Sequence, residues 1–202
     1  GILQKFSSIP VADGSIFAGR SRHTAVTIGT NIYVFGGVKG GDDLYRLDTT
    51  LEPLIWDKVA VNGRAPSSRL GHTATSIGAN MYIFGGTDGS NDFNDLYEFN
   101  TIDGHWSEIS NIGGAPPKAS GAYTMHPLKN NLVIIGSVRG ETSMVVYMIN
   151  LVGEKRWWEL SSFRRPYDAP RKRHLFASTA MYDNDHDLRT SGVGSSSGNI
   201  NG

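Results

Sequence analysis

One feature constrains this chain more than any other: laid against itself at an offset of 49 residues, the sequence matches in two separate blocks. Arg20-Ser21-Arg22-His23-Thr24-Ala25 falls on Arg69-Leu70-Gly71-His72-Thr73-Ala74, and Asn31-Ile32-Tyr33-Val34-Phe35-Gly36-Gly37 falls on Asn80-Met81-Tyr82-Ile83-Phe84-Gly85-Gly86. Asp43-Leu44-Tyr45 answers Asp95-Leu96-Tyr97 after a three-residue insertion, and Trp56 answers Trp106. A unit of this size buries its apolar faces only by stacking on its neighbours, so the chain is an array of similar modules.

A third copy is degenerate. Gly121-Ala122-Tyr123 replaces Gly71-His72-Thr73, Leu132-Val133-Ile134-Ile135-Gly136-Ser137 loses the second glycine, and Tyr147 and Trp157 follow. A fourth begins at Arg171-Lys172-Arg173-His174 and runs to Tyr182, and Leu3-Gln4-Lys5-Phe6 resembles the Trp56-Asp57-Lys58-Val59 stretch. Each copy reads as four short strands: an apolar run after the His, a second ending in the glycines, a third around the Tyr and a fourth opened by the Trp. Gly, Asn, Asp, Ser and Pro clusters separate them. No window sustains helical periodicity.

Repeats of about 50 residues with four strands each are the pattern of propeller blades. The doublets Gly36-Gly37 and Gly85-Gly86, with Tyr45, Tyr97, Trp56 and Trp106 at matched spacing, resemble kelch repeats over roughly Arg20 to Tyr182. The expected fold is therefore all-β, with about three full four-stranded kelch-type β-propeller blades starting near residues 20, 69 and 119 and part of a fourth near 171. Residues 1–19 read as an outer strand of a preceding or closing blade plus an inter-blade loop, and 183–202 as a flexible Gly/Ser/Asn/Asp-rich tail. The resemblance implies rings of about five to seven blades, so the expectation is a fragment of a larger propeller. Its open blade faces would need further repeats or self-association.

The motif residues read as structural. The glycines admit close backbone approach and positive φ, and the Tyr and Trp fill the space between blades. Arg20-x-x-His23, Arg69-x-x-His72 and Arg171-x-x-His174 are expected to bond neighbouring-blade backbone or carboxylates. The sharper alternative is convergence of these histidines on a metal at the axis, but the third copy carries Ala122 there.

Kelch propellers resembling this one present partner-binding loops on one face. Carried over by position, these are Val38 to Asp42, Thr87 to Asn94 and Ser137 to Glu141 within blades, and Asn62 to Ser68, Gly114 to Lys118 and Arg164 to Lys172 between them. The candidate contact residues are Lys39, Asp42, Arg64, Ser67, Asp88, Asn91, Asp92, Lys118, Arg139, Glu141, Arg164, Arg165, Arg171 and Lys172. The stretch Arg164 to Arg173 carries five basic residues against one acidic, which suits an acidic or phosphorylated peptide because Arg pairs with carboxylate and phosphate oxygens.

Enzymatic readings fare worse. With no cysteine there is no thiolate site or cysteine nucleophile, no Ser sits in a Gly-x-Ser-x-Gly elbow, and His105, His126 and His186 lack metal-ligand spacing. Asp88, Asp92 and Glu141 could pair as hydrolytic carboxylates, but no spacing along the chain requires it. Asp88 to Asp92 lacks the order of a helix-flanked calcium loop, and Gly192 to Gly198 lacks the strand and helix of a phosphate loop. The 19 Lys plus Arg balance 19 Asp plus Glu, so no global field favours nucleic acid or an anionic membrane. The expectation is a non-enzymatic, cofactor-free protein-interaction module in the cytoplasm, or in the nucleus if the basic cluster is read as an import signal. Its partner is a protein or peptide. The alternative is the propeller domain of a larger enzyme, or a metal-dependent kelch enzyme.

Overall fold

In a computed structural model of the chain, residues 17–137 and 144–163 are described. The first blade is an antiparallel sheet of β1 (Thr24–Ile28), β2 (Asn31–Phe35), β3 (Leu44–Asp48) and β4 (Ile55–Lys58). The second contains β6 (Thr73–Ile77), β7 (Asn80–Thr87), β8 (Asp92–Asn100) and β9 (His105–Glu108), with the two-residue β5 (Asn62–Gly63) added at its outer edge. The third is β10 (Tyr123–Leu128), β11 (Asn131–Gly136), β12 (Met144–Asn150) and β13 (Trp157–Phe163). Strands within each blade pair in sequence order, and the first strands β1, β6 and β10 lie against one another as the inner strands. Among the described residues no helix is long and apolar enough to cross a membrane.

Two cores form between blades, and β7 serves both because strand side chains alternate. Met81 and Ile83 join Tyr33, Phe35, Leu44, Phe99 and Trp106 between the first and second blades. Tyr82 and Phe84 join Leu96, Met125, Leu132, Ile134, Ile149 and Trp157 between the second and third. The contacts repeat: Phe35 meets Trp106, and Phe84 meets Trp157, each pair at 5.6 Å between ring centroids. A buried aromatic of this kind contributes about 2–3 kcal/mol. In the first blade, Trp56 instead stacks on Phe17 at 4.0 Å, and Tyr45 meets the same ring edge-on.

The stretch expected as a free loop from Asn62 differs. Asn62–Gly63 runs parallel to His105–Trp106, and a parallel Gly113–Arg156 bridge repeats the device in the third blade. The outer strand otherwise ends in unpaired backbone groups, which an added edge strand satisfies. Gly63 makes the approach possible, with φ at 76° and a position where a Cβ would lie 2.7 Å from the His105 ring. The loop expected over Thr87 to Asn94 is also shorter. Thr87 and Asp92 already pair across the hairpin, leaving Asp88 to Asn91 as the turn. The Leu3-Gln4-Lys5-Phe6 strand, the fourth-copy strand and the Gly/Ser-rich tail lie outside the described residues.

Candidate functional face

The turns between second and third strands and the segments entering each blade meet on one face because their backbones are stitched together. Ser21 bridges Val38, and Leu70 bridges Thr87. Gly37 donates its amide to the Arg69 carbonyl at 2.8 Å, Gly71 to that of Arg22 at 2.9 Å and Gly86 to that of Ser120 at 3.3 Å. The two bridges close a turn onto its own blade's entrance, and the three amide bonds join one blade's turn or entrance to the next, so the face is continuous across the three blades.

The glycine doublets explain how the strands come this close. All four glycines hold positive φ, with Gly36 and Gly85 at 65°, Gly37 at 91° and Gly86 at 92°. A Cβ on Gly36 would strike the Arg69 carbonyl oxygen and lie 2.8 Å from the His72 ring, so the first glycine makes room for the next blade's entrance. A Cβ on Gly86 would lie 2.8 Å from the Cβ of His72, so the second makes room for the blade's own entrance. In the third blade Gly136 abuts Ala122 and Tyr123.

The Arg-x-x-His motif divides its work, which corrects the expectation that both residues reach the neighbouring blade. The Arg69 side chain is buried and bonds within its own blade. Its guanidinium holds Asp95 in a two-point pair at 2.6 and 2.9 Å and donates to the Gly85 carbonyl at 3.0 Å, while Nε reaches the Ser67 carbonyl at 3.1 Å. Phe93 lies beneath it at 4.4 Å. His72 is the residue that crosses, its Nε2 lying 2.7 Å from the Thr24 hydroxyl of the first blade.

This placement sets the charge state of His72. Burial, reinforced by the cationic Arg69 and by His23, lowers its pKa from 6.5 to about 3. The unfolded chain therefore takes up a proton at this residue below pH 6.5 that the folded chain refuses until about pH 3. Stability is expected to fall as pH drops through that window, by at most about 1.4 kcal/mol per pH unit from this residue. Urea unfolding midpoints followed between pH 7 and 4 check this, and His72→Gln should flatten the dependence.

Among the expected contact residues, Lys39 and Asp42 are exposed in the first blade's turn. Asp88 is spent on its own turn: its carboxylate accepts the Ser90 and Asn91 amides at 2.8 and 2.7 Å and the Asn91 side chain at 3.1 Å. The Asn91 amide chiefly holds its pKa below the usual carboxylate range. Asp92 is exposed beside that turn. Among the described residues no group of three His, Asp or Glu side chains gathers as metal ligands. Ser67 braces Arg69, and Arg64 pairs with Glu108 at 3.0 Å beside the added edge strand. Lys118 is exposed, and its carbonyl accepts the Tyr123 hydroxyl. Arg139, Glu141, Arg164, Arg165, Arg171 and Lys172 lie outside the described residues.

Sequence reasoning missed Arg22. Its φ is 59°, matching the 64° of Gly71 at the corresponding position of the second blade. The signal was present in the repeat, since an Arg stands where the next two copies have Gly71 and Gly121.

Comparisons with known proteins agree with this architecture. The family model described as the KLHDC2/KLHL20/DRC7 Kelch-repeats domain matches residues 4–186. Tip elongation aberrant protein 1 of Schizosaccharomyces pombe is 31% identical over 131 residues, which are 60% of this chain and 11% of that protein. A solved structure titled "Structure of YjhT" superposes with a TM-score of 0.56 at 14% identity, over 73% of this chain and 53% of that one. The chain thus spans only a small part of the one and about half of the other, and the second likeness is one of fold alone. With the blades, the doublets and the inter-blade aromatics in place, and a family model matching most of its length, the chain belongs to the kelch-repeat family.

Proposed function

We propose that this chain is a protein-interaction module that holds a protein or peptide partner on the face built from its blade entrances and second-to-third-strand turns. The observation carrying this reading is the division of labour on that face. Arg69, His72, Ser67 and Asp88 are consumed by internal bonds, whereas Lys39, Asp42 and Asp92 are exposed on a continuous, backbone-stitched platform. Loops on a rigid scaffold are where binding residues concentrate. The partner's chemistry in this reading is an acidic or phosphorylated segment, supported by the basic run that follows the third blade and includes Arg164, Arg165, Arg171 and Lys172.

The test is affinity capture from cell extract with the whole chain, comparing wild type with Lys39→Glu and with the Arg171→Glu, Lys172→Glu pair, alongside elemental analysis of the purified protein. A partner retained by wild type and depleted by the charge reversals, at unchanged melting temperature, supports the module. Stoichiometric metal with indifferent capture refutes it in favour of a metal-dependent activity.

A further inference from the structure

Arg22 sits in a backbone conformation that glycine adopts freely and a side chain resists. The second blade shows the unstrained solution, because Gly71 occupies the same position at nearly the same φ. Blade geometry therefore calls for glycine at this point, and the first blade carries the largest cationic side chain there instead.

The structure also shows where that side chain goes. A Cβ added to Gly71 would lie 3.3 Å from Nη2 of Arg22 and 3.9 Å from its Nε, so the guanidinium rests over the bare backbone of the next blade's entrance. A Cβ on Gly121 would in turn lie 3.5 Å from the Gly71 carbonyl oxygen. Arg22, Gly71 and Gly121 thus follow one another along the inner rim, one cation beside two positions without side chains. Arg22 is exposed, with no ion pair or side-chain hydrogen bond among the described residues.

A second exposed cation stands on the turn that bridges Ser21, in a register that sets Lys39 opposite Arg20. The Ser21–Val38 bridge sets the first blade's turn alongside, and there Lys39 occupies the third position of Gly37–Gly40 at φ 62°, again a glycine-favouring conformation. Lys39 is exposed and also without an ion pair among the described residues. Of the acidic groups of that turn, Asp43 pairs with Lys58 at 2.7 Å and Asp42 is exposed.

We propose that Arg22 is the anchor that receives an aspartate or glutamate side chain of a peptide partner, with Lys39 on the adjacent turn adding positive charge and the Gly71–Gly121 rim leaving room for the peptide backbone. The inference rests on the module reading above and gives its partner a chemistry and an address. A guanidinium offers paired donors to a carboxylate, and a rim without side chains lets the ligand approach closely.

The test uses the whole chain as bait in a selection from a random peptide library displayed on phage. Binding of the enriched peptides is then measured by fluorescence anisotropy to wild type and to Arg22→Gly. Because Gly71 and Gly121 already serve at this position, Arg22→Gly is expected to fold with an equal or higher melting temperature. It should bind the selected peptides at least about tenfold more weakly, the loss of one charge-assisted bidentate contact. Alanine at the peptide's acidic position should cause the same loss with wild type and no further loss with Arg22→Gly. Enriched peptides without an acidic position, equal binding by Arg22→Gly, or a lowered melting temperature for that variant would each overturn the inference. Acid-indifferent peptides displaced by Lys39→Glu would leave the module reading standing, whereas failure to enrich any binding peptide would bring down both.

Discussion

Replacing Gly36 by alanine is expected to cost enough stability to unfold most of the protein, while Gly29→Ala is expected to cost about 1–2 kcal/mol. The two glycines have similar backbones, at φ 65° and 60°, so both substitutions incur the strain of a left-handed side chain. They differ in what surrounds them. Nothing lies within 4 Å of a Cβ on Gly29, whereas a Cβ on Gly36 would meet the Arg69 carbonyl oxygen and the buried His72 ring. The first obstacle is backbone, and it accepts the Gly37 amide at 2.8 Å, so it cannot retreat without breaking the link between blades. His72 cannot yield either without leaving Thr24. Domains of this size are stable by only about 5–15 kcal/mol, and separating the blades also exposes the core around Phe35 and Trp106. Near-ultraviolet circular dichroism and urea unfolding of the two variants check this. A cooperative, near-wild-type transition for Gly36→Ala would refute the assigned role of the doublet.

Removing one partner of the Arg69–Asp95 pair is expected to destabilise the protein by about 3 kcal/mol or more, yet removing both should cost less than the two single changes together. The side chain of Arg69 is 1% exposed and that of Asp95 24%. Asp95→Val would leave a buried guanidinium without its counter-charge, the costlier of the two single changes. Arg69→Ala would leave a half-solvated carboxylate and an unpaired Gly85 carbonyl. The chain itself supplies the alternative. In the third copy the corresponding positions are Ala119 and Val145, and Val145 packs against the core there. The double variant Arg69→Ala, Asp95→Val copies that arrangement and should recover at least about 1.5 kcal/mol in a double-mutant cycle measured by chemical denaturation. Strict additivity would show that the pair does not act as a unit.

How much was legible beforehand depends on the kind of interaction. Strand order, the role of the glycines and the inter-blade placement of Trp106 follow from features written locally in each copy. Alternation of apolar residues decides which strand faces which core, and a glycine doublet at a strand end marks a close approach whatever makes it. The β5 edge strand left no such trace, because two residues pairing through backbone alone carry no side-chain pattern. Asp88 illustrates another limit: an acidic, hydrogen-bond-rich turn reads as a binding loop until its carboxylate is found capping its own backbone.

From the sequence alone came the order of the three described blades, their all-β class and the residues that pack between them, because a repeat records the same physical solution several times over. Only the tertiary structure decided which charged residues are spent and which are free. Arg69 meets a carboxylate 26 positions away, and His72 meets a hydroxyl 48 positions away. Arg22 lies over the glycine of another blade. A charged side chain carries no record of its partner along the chain, and in this protein the partner is supplied by the folding together of blades.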